Sequence, residues 1–289
     1  MKKTIIILLF LISVSTYAQI EIPNYQPNEQ IVRHIGYTLS YNENHEQASW
    51  VAYELTSNEV MGSVKRNDSF RSDPMVRSGS AALSDYKGSG FDRGHLAPAA
   101  DMKWSSTAMS ESFFMSNMSP QDPSFNRGIW KKLESRVRDW AMDNGSVYVA
   151  TGGVLSNGLN TIGSNGVSVP KYYYKVILDY KEPDYKAIGF LMPNSASKQS
   201  LQSFAVTVDN VERVTGIDFF HSLPDGIENS VEGNLDVSKW SFSKSKKYKN
   251  TKNSIKSSSS ASQCLGFTKK GNRCKRKTKN LTGYCYQHE

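Results

Sequence analysis

Cysteine is missing from the first 263 residues; all 3 lie between Cys264 and Cys285. A core stapled by disulfides is therefore excluded, and the bulk of the chain must be held by apolar burial and hydrogen bonding. Long apolar runs are also scarce. One runs from Ile5 to about Val14, too short for the ~20 residues that cross a bilayer. Lys2 and Lys3 precede it and Thr16-Tyr17-Ala18 follow, the pattern of a secretory signal cleaved after Ala18. Residues 1–18 then fall outside the fold and the product is exported, periplasmic or secreted; a transmembrane anchor is the rival reading. No cysteine directly follows the run, which argues against a lipid-anchored product. Acid is scarce at the other end. Residues 239–289 hold 14 of the 35 Lys and Arg and one acid, Glu289. Setting these aside with Lys2 and Lys3 leaves 19 basic against 26 acidic residues in 19–238. The net charge of +8 is a property of the tail, and the core is mildly acidic.

What remains suffices for one sizeable domain with an appendage. From Ile31 to Val64 apolar and polar residues alternate, as in Ser49-Trp-Val-Ala-Tyr-Glu-Leu55, which predicts two antiparallel strands around a turn at 42–47. His34 and His45 belong to no ligand-like cluster and read as structural or solvated. Residues 65–90 predict a long surface loop, where Lys65, Arg66 and Arg71 either meet phosphate or stay solvated. Phe113 to Met118 reads as a buried strand, and Pro120 and Pro123 forbid a helix through 119–124. Ile129, Trp130, Leu133, Val137, Trp140 and Ala141 recur at three- and four-residue steps, one face of a helix that runs from Asn126 to near Asn144-Gly145. Three more strands follow at 146–155, 172–179 and 186–192, with short helices starting at Ser197 and near Val208. His221 reads as structural. The fold class is α+β, an antiparallel sheet flanked by helices.

Within this frame lies an ordered series: Phe91-Asp92-Arg93-Gly94-His95, then Ser116-Asn117, then Asn126-Arg127-Gly128, then Glu134 and Arg138. It supplies a base, a neutral oxygen ligand for a hard metal ion, a carboxylate and guanidinium groups. Imidazole suits the first task, since its reference pKa of about 6.5 leaves it neutral at pH 7 and above. Singly, each residue has a plain alternative: Asn117 bonding turn backbone before Pro120, Asn126 capping a helix, Glu134 and Arg138 forming a surface ion pair one turn apart.

Together they resemble the DNA/RNA non-specific endonuclease family of ββα-metal (His-Me finger) type, whose signature is Asp-Arg-Gly-His, over roughly residues 31–235. The resemblance implies a ββα-metal nuclease fold and hydrolysis of DNA and RNA with little sequence preference, leaving 5′-phosphate and 3′-hydroxyl ends. It implies His95 as general base, Asn126 as ligand of Mg²⁺ or Mn²⁺, and Glu134 orienting water on the ion. Arg93 and Arg138 would hold phosphate, Arg127 would be a weaker contact, and Asn117 would support the site geometry. Two rivals stand beside this reading: a nucleic-acid-binding protein on an inactive nuclease scaffold, and a phosphodiesterase for another substrate.

The tail reads as separate. Residues 239–263 predict a flexible basic linker rich in Ser and Lys. In 264–289, Cys264, Cys274, Cys285 and His288 offer a Cys₃His zinc site closed by a C-x₂-H pair. A disulfide is the rival in an exported chain, but it would leave one of three cysteines over. The segment has a modest resemblance to small zinc-knuckle-like modules.

Overall fold

The computed structural model describes residues 19–25, 27, 29–243, 262–264, 268 and 273–278. The segment read as a signal, 1–18, lies outside them. The chain divides into two compact units, Met1–Lys244 and Ser245–Glu289.

The first unit is built on a seven-stranded antiparallel sheet. Its strands are β1 (Gln30–Arg33), β2 (Thr38–Asn42) and β3 (Gln47–Thr56), followed at a distance by longer partners. Outside the sheet, β4 (Asp92–His95) pairs with β5 (Met118–Gln121) as a separate two-stranded ribbon. Back in the sheet comes β6 (Ser146–Gly153), then a small hairpin of β7 (Thr161–Ile162) and β8 (Val167–Ser168). The sheet is completed by β9 (Tyr172–Asp179), β10 (Lys186–Pro193) and β11 (Ala205–Val206), in the order β1-β2-β3-β6-β9-β10-β11.

Among the described residues seven α-helices accompany it: α1 (Ser57–Val60), α2 (Leu83–Tyr86), α3 (Ser106–Glu111), α4 (Pro123–Phe125), α5 (Lys131–Asn144), α6 (Val208–Thr215) and α7 (Asp225–Gly233). Period-two alternation sorts the side chains of each strand to two faces. From β3, Val51, Tyr53 and Leu55 join the core under α5, with Leu133, Val137 and Trp140. Trp50 and Ala52 join the opposite core under α6 and α7, with Val208, Val211, Phe219 and Val231. Each large side chain buried this way contributes roughly 1.5–3 kcal/mol. No helix among the described residues is long and apolar enough to cross a membrane.

Several expectations shift, among them the helix starting at Ser197, where a short turn begins only at Leu201. The apolar run 113–118 is not a strand: residues 115–117 form a tight turn, and the strand begins at Met118. Asn117 causes this, because its amide closes the turn on the backbone of Ala97 and Ser112. The helix does not run unbroken from Asn126. Pro123 occupies the first position of α4, where its missing N–H costs nothing. A wide turn over Asn126–Trp130 follows, with Gly128 at φ −102° and ψ −110°, before α5 begins. Finally, the boundary at 238/239 falls too early. Trp240 is buried against Trp140, which donates from its Nε1 to the Ser241 carbonyl at 2.7 Å. Phe242 packs edge-on against Trp140, and Arg136 donates to the Ser243 carbonyl.

In the second unit, β12 (Ser262–Gln263) pairs with β13 (Lys277–Thr278). Cys264 donates its N–H to the Arg276 carbonyl at 2.8 Å, and Cys264 and Cys274 are buried together. Cys285 and His288 lie outside the described residues.

Candidate active site

The ribbon β4–β5 and the helical segment after it form one ββα unit. Register sets Asp92 opposite Gln121 and His95 opposite Met118. Gly94 sits against Gln121 so closely that a Cβ would overlap its side chain, so any larger residue would have to displace it. Arg93 and His95, two apart, share one face of the strand and border an open cleft of about 280 Å³. Asn126 and Arg127 from the wide turn, Lys131, Glu134 and Arg138 from α5, and Arg66 from the long loop complete its wall.

His95 is held without a hydrogen bond at its inner nitrogen. Phe113 meets its ring edge-on at 5.0 Å and Phe70 at 5.8 Å between centroids. Those rings also seat two guanidinium groups, Arg93 over Phe70 at 4.3 Å and Arg66 over Phe113 at 4.8 Å. The Nε2 atom is buried and has no partner. Burial, with Arg66 and Arg93 adding to it, pulls the imidazole down to about 3, so it stays neutral.

This depression makes stability depend on pH. The unfolded chain binds the proton more readily, so the stability linked to His95 is complete above about 6.5 and is lost as pH falls toward 3. The loss amounts to about 2 kcal/mol between pH 7.5 and pH 5. A His95→Leu variant should therefore gain that much relative to the wild type over this interval. Urea melts of both proteins at pH 7.5 and pH 5 measure it; a difference that does not change with pH would refute a buried neutral imidazole.

Asn126 is clamped by Asp92, at the other end of β4. Its Nδ2 donates to Asp92 Oδ2 at 2.9 Å, while Arg127 forks onto both Asp92 oxygens at 2.8 and 2.6 Å. Burial tends to raise the Asp92 carboxyl, but the Arg127 and Asn126 bonds prevail and hold it below the usual carboxylate range. A carboxylate only accepts, so it must face the NH₂ of the amide and leave Oδ1 pointing elsewhere. Arg127, by contrast, spends its fork on Asp92.

Glu134 lies deeper. Burial pushes its carboxyl up, Lys175 and Arg138 pull it down, and Asp101 pushes it up again. Lys175 shares the parity of Tyr173 and Ile177 on β9 and so points toward α5, its Nζ 4.8 Å from the Trp130 ring centre. It is almost fully buried, and burial lowers its pKa. Arg138 donates to Asp101 at 2.7 Å, and Asp101 accepts from the Tyr53 hydroxyl at 2.9 Å.

Of the residues expected to act, His95, Arg93, Asn126, Arg127, Glu134 and Arg138 meet at this cleft. Asn117 does not. It is fully buried, with its amide committed to Ala97 N–H and O and to Ser112 O, all at 2.9 Å. It cannot touch substrate, and it acts by fixing the backbone two residues beyond His95. Sequence reasoning missed the clamp at Asp92 and the charges of Asp101 and Lys175. Strand parity is the signal that would have aimed Lys175 at α5.

A strand that ends in the histidine, a paired strand and a following helical turn that carries the asparagine define a ββα-metal nuclease fold. The chain belongs to the DNA/RNA non-specific endonuclease family, whose model matches residues 17–226. Over 204 residues it is 38% identical to Nuclease EXOG, mitochondrial, of Danio rerio, a match covering 65% of this chain and 60% of that protein. It is 39% identical to Nuclease C1 of Cunninghamella echinulata var. echinulata, covering 65% and 81%. For Endonuclease G, mitochondrial, of Homo sapiens the identity is 34%, covering 65% and 68%. The crystal structure of the EndoG/EndoGI complex superposes with a TM-score of 0.63 at 32% identity, covering 67% of this chain and 86% of that one. The family is metal-dependent.

Proposed function

We propose that the chain is a metal-dependent endonuclease that hydrolyses phosphodiester bonds of DNA and RNA with little sequence preference. The observation that carries this is a neutral His95 bordering a cleft ringed by Arg66, Arg93 and Arg138. His95 takes a proton from the attacking water, and the guanidinium groups hold the phosphate and offset its growing charge. Arg138 is braced for this by Asp101, and Arg93 by its stacking on Phe70.

The donors suit a hard divalent ion, Mg²⁺ or Mn²⁺. Asn126 offers an oriented carbonyl oxygen and Glu134 a carboxylate, and hard ions of this size keep several waters of their own. Asn126 would hold the ion, which would supply Lewis-acid polarisation of the phosphate. Plasmid digestion with and without EDTA tests the proposal. A chain that binds plasmid but leaves it intact in Mg²⁺ and in Mn²⁺ would be a binding protein on an inactive scaffold.

The reading also includes export through residues 1–18 and a tail that feeds substrate to the cleft. Residues 245–289 keep 12 of the tail's basic side chains and its one acid. Phosphate neutralisation releases counterions, so a tethered tail should add salt-sensitive affinity without entering the chemistry. A chain ending at Lys244 retains the aromatic packing of Trp240 and Phe242. It should keep its turnover on saturating DNA, while its KM on long DNA rises at least ~5-fold at low salt and its salt dependence flattens. Equal KM values and salt slopes would remove the tail from substrate binding.

The buried Cys264 and Cys274 support a metal-held tail with Cys285 and His288. One zinc ion per chain is expected by native mass spectrometry; a disulfide-linked, metal-free tail would rule it out.

A further inference from the structure

On the opposite face of the sheet from α5, two helices bring carboxylates together. Asp209 and Glu212 are three apart on α6, hence on one side of it, while Val208 and Val211 turn into the core. Glu232 comes from the last turn of α7, beside the buried Val231. One oxygen from each of Asp209, Glu212 and Glu232 lies within 4.8 Å of the others.

Several features separate this cluster from ordinary surface acid. Glu232 is only 5% exposed, and its Oε1 is buried with no hydrogen-bond partner. Glu212 is already oriented, since its Oε1 accepts the Phe219 N–H at 2.7 Å. The charges that act on Glu232 come from Glu212, Glu228, Asp209 and Asp218, all acidic. Asp209 is exposed, which leaves one side open to solvent and to additional water ligands. A buried carboxylate among like charges is costly unless something positive joins it.

We propose that Asp209, Glu212 and Glu232 form a calcium site that ties α6 to α7, separate from the catalytic cleft. The ligand set is all oxygen, as a hard cation requires. Oxygen separations within 4.8 Å are compatible with a Ca–O distance of about 2.3–2.6 Å. Three carboxylates with room for water also suit the six to eight ligands that calcium takes, roughly, in flexible geometry. The site does not depend on the proposed catalytic chemistry.

Thermal unfolding of the full chain, stripped with EGTA and then given CaCl₂ at pH 7.5, tests the site. At about 100 times the dissociation constant, calcium should raise Tm by about 5 °C or more. The rise should persist in Asn126→Ala, which disables the cleft's proposed ligand, and disappear in Glu232→Gln. In EGTA, Glu232→Gln should melt at or above the wild type, because it removes an uncompensated buried acid. Should that variant not fold, Asp209→Asn, altering the exposed ligand, must weaken calcium affinity at least ~10-fold by calorimetry. The proposal is overturned by no calcium shift in the wild type, by a shift that survives Glu232→Gln or an affinity unchanged in Asp209→Asn, or by one lost in Asn126→Ala.

Discussion

His95→Ala should lower turnover on plasmid DNA at least ~100-fold, the lower range for losing a general base, with KM changed little. The imidazole is the one neutral nitrogen base at the cleft, held by two phenylalanine edges rather than by hydrogen bonds. Arg66 and Arg93 contribute in two ways. They hold the ring neutral, and each is positioned over a ring that also packs on His95, so phosphate and base are brought to one place. His95→Gln, which keeps a polar side chain of similar reach, should lose as much, because an amide does not take up a proton. Single-turnover assays on protein with wild-type near-ultraviolet circular dichroism provide the measurement. A folded variant that cuts at the wild-type rate would remove His95 from the mechanism.

Much of the frame could be read along the chain because it is written in local periods. Trp50 to Leu55 alternate between two cores, and Ile129 to Ala141 mark one helical face. The shifts came where a distant partner decides. Phe113-Phe114-Met115 looks like a strand, but Asn117 reaches back to Ala97 and Ser112 and turns the chain instead. The glycine that breaks the helix at 128 is unremarkable in sequence, since glycine is merely disfavoured in a helix. Trp240 and Phe242 sit among serines and lysines, and their place is set by Trp140 and Phe190, residues 50 to 100 positions earlier in the chain, on which they pack.

The cleft itself divides in the same way. His95, Arg93, Asn126, Glu134 and Arg138 were named by motif and helix position, and these converge on one cavity. The partners that tune them are encoded in no spacing. Asp101 reaches Arg138 from the loop after β4, and Lys175 approaches Glu134 from a strand 41 positions later. Which charge meets which is decided by sheet order, and β9 lies beside β6 only in the assembled fold.

Asn126→Ala should raise the Mg²⁺ concentration for half-maximal activity at least ~10-fold and lower the maximal rate, while leaving DNA affinity without metal unchanged. Asp92 predicts a second, less obvious loss. Its carboxylate accepts from Asn126 Nδ2 and is pinned by the Arg127 fork, so the amide can present only its oxygen to an ion. In Asp92→Ala the amide is released to rotate, and the carbonyl loses the partner that orients and polarises it. That variant should therefore lose about 10- to 100-fold in apparent metal affinity, the range for a partner that orients a ligand. Arg127→Lys, which keeps the charge but not the fork, should show a smaller loss of the same kind. Activity titrated with Mg²⁺ and with Mn²⁺, alongside DNA binding in EDTA, separates these effects from damage to the phosphate contacts. An unchanged metal requirement in Asn126→Ala would mean that another residue holds the ion. A requirement raised in Asn126→Ala but not in Asp92→Ala would show that the amide orients itself without the clamp.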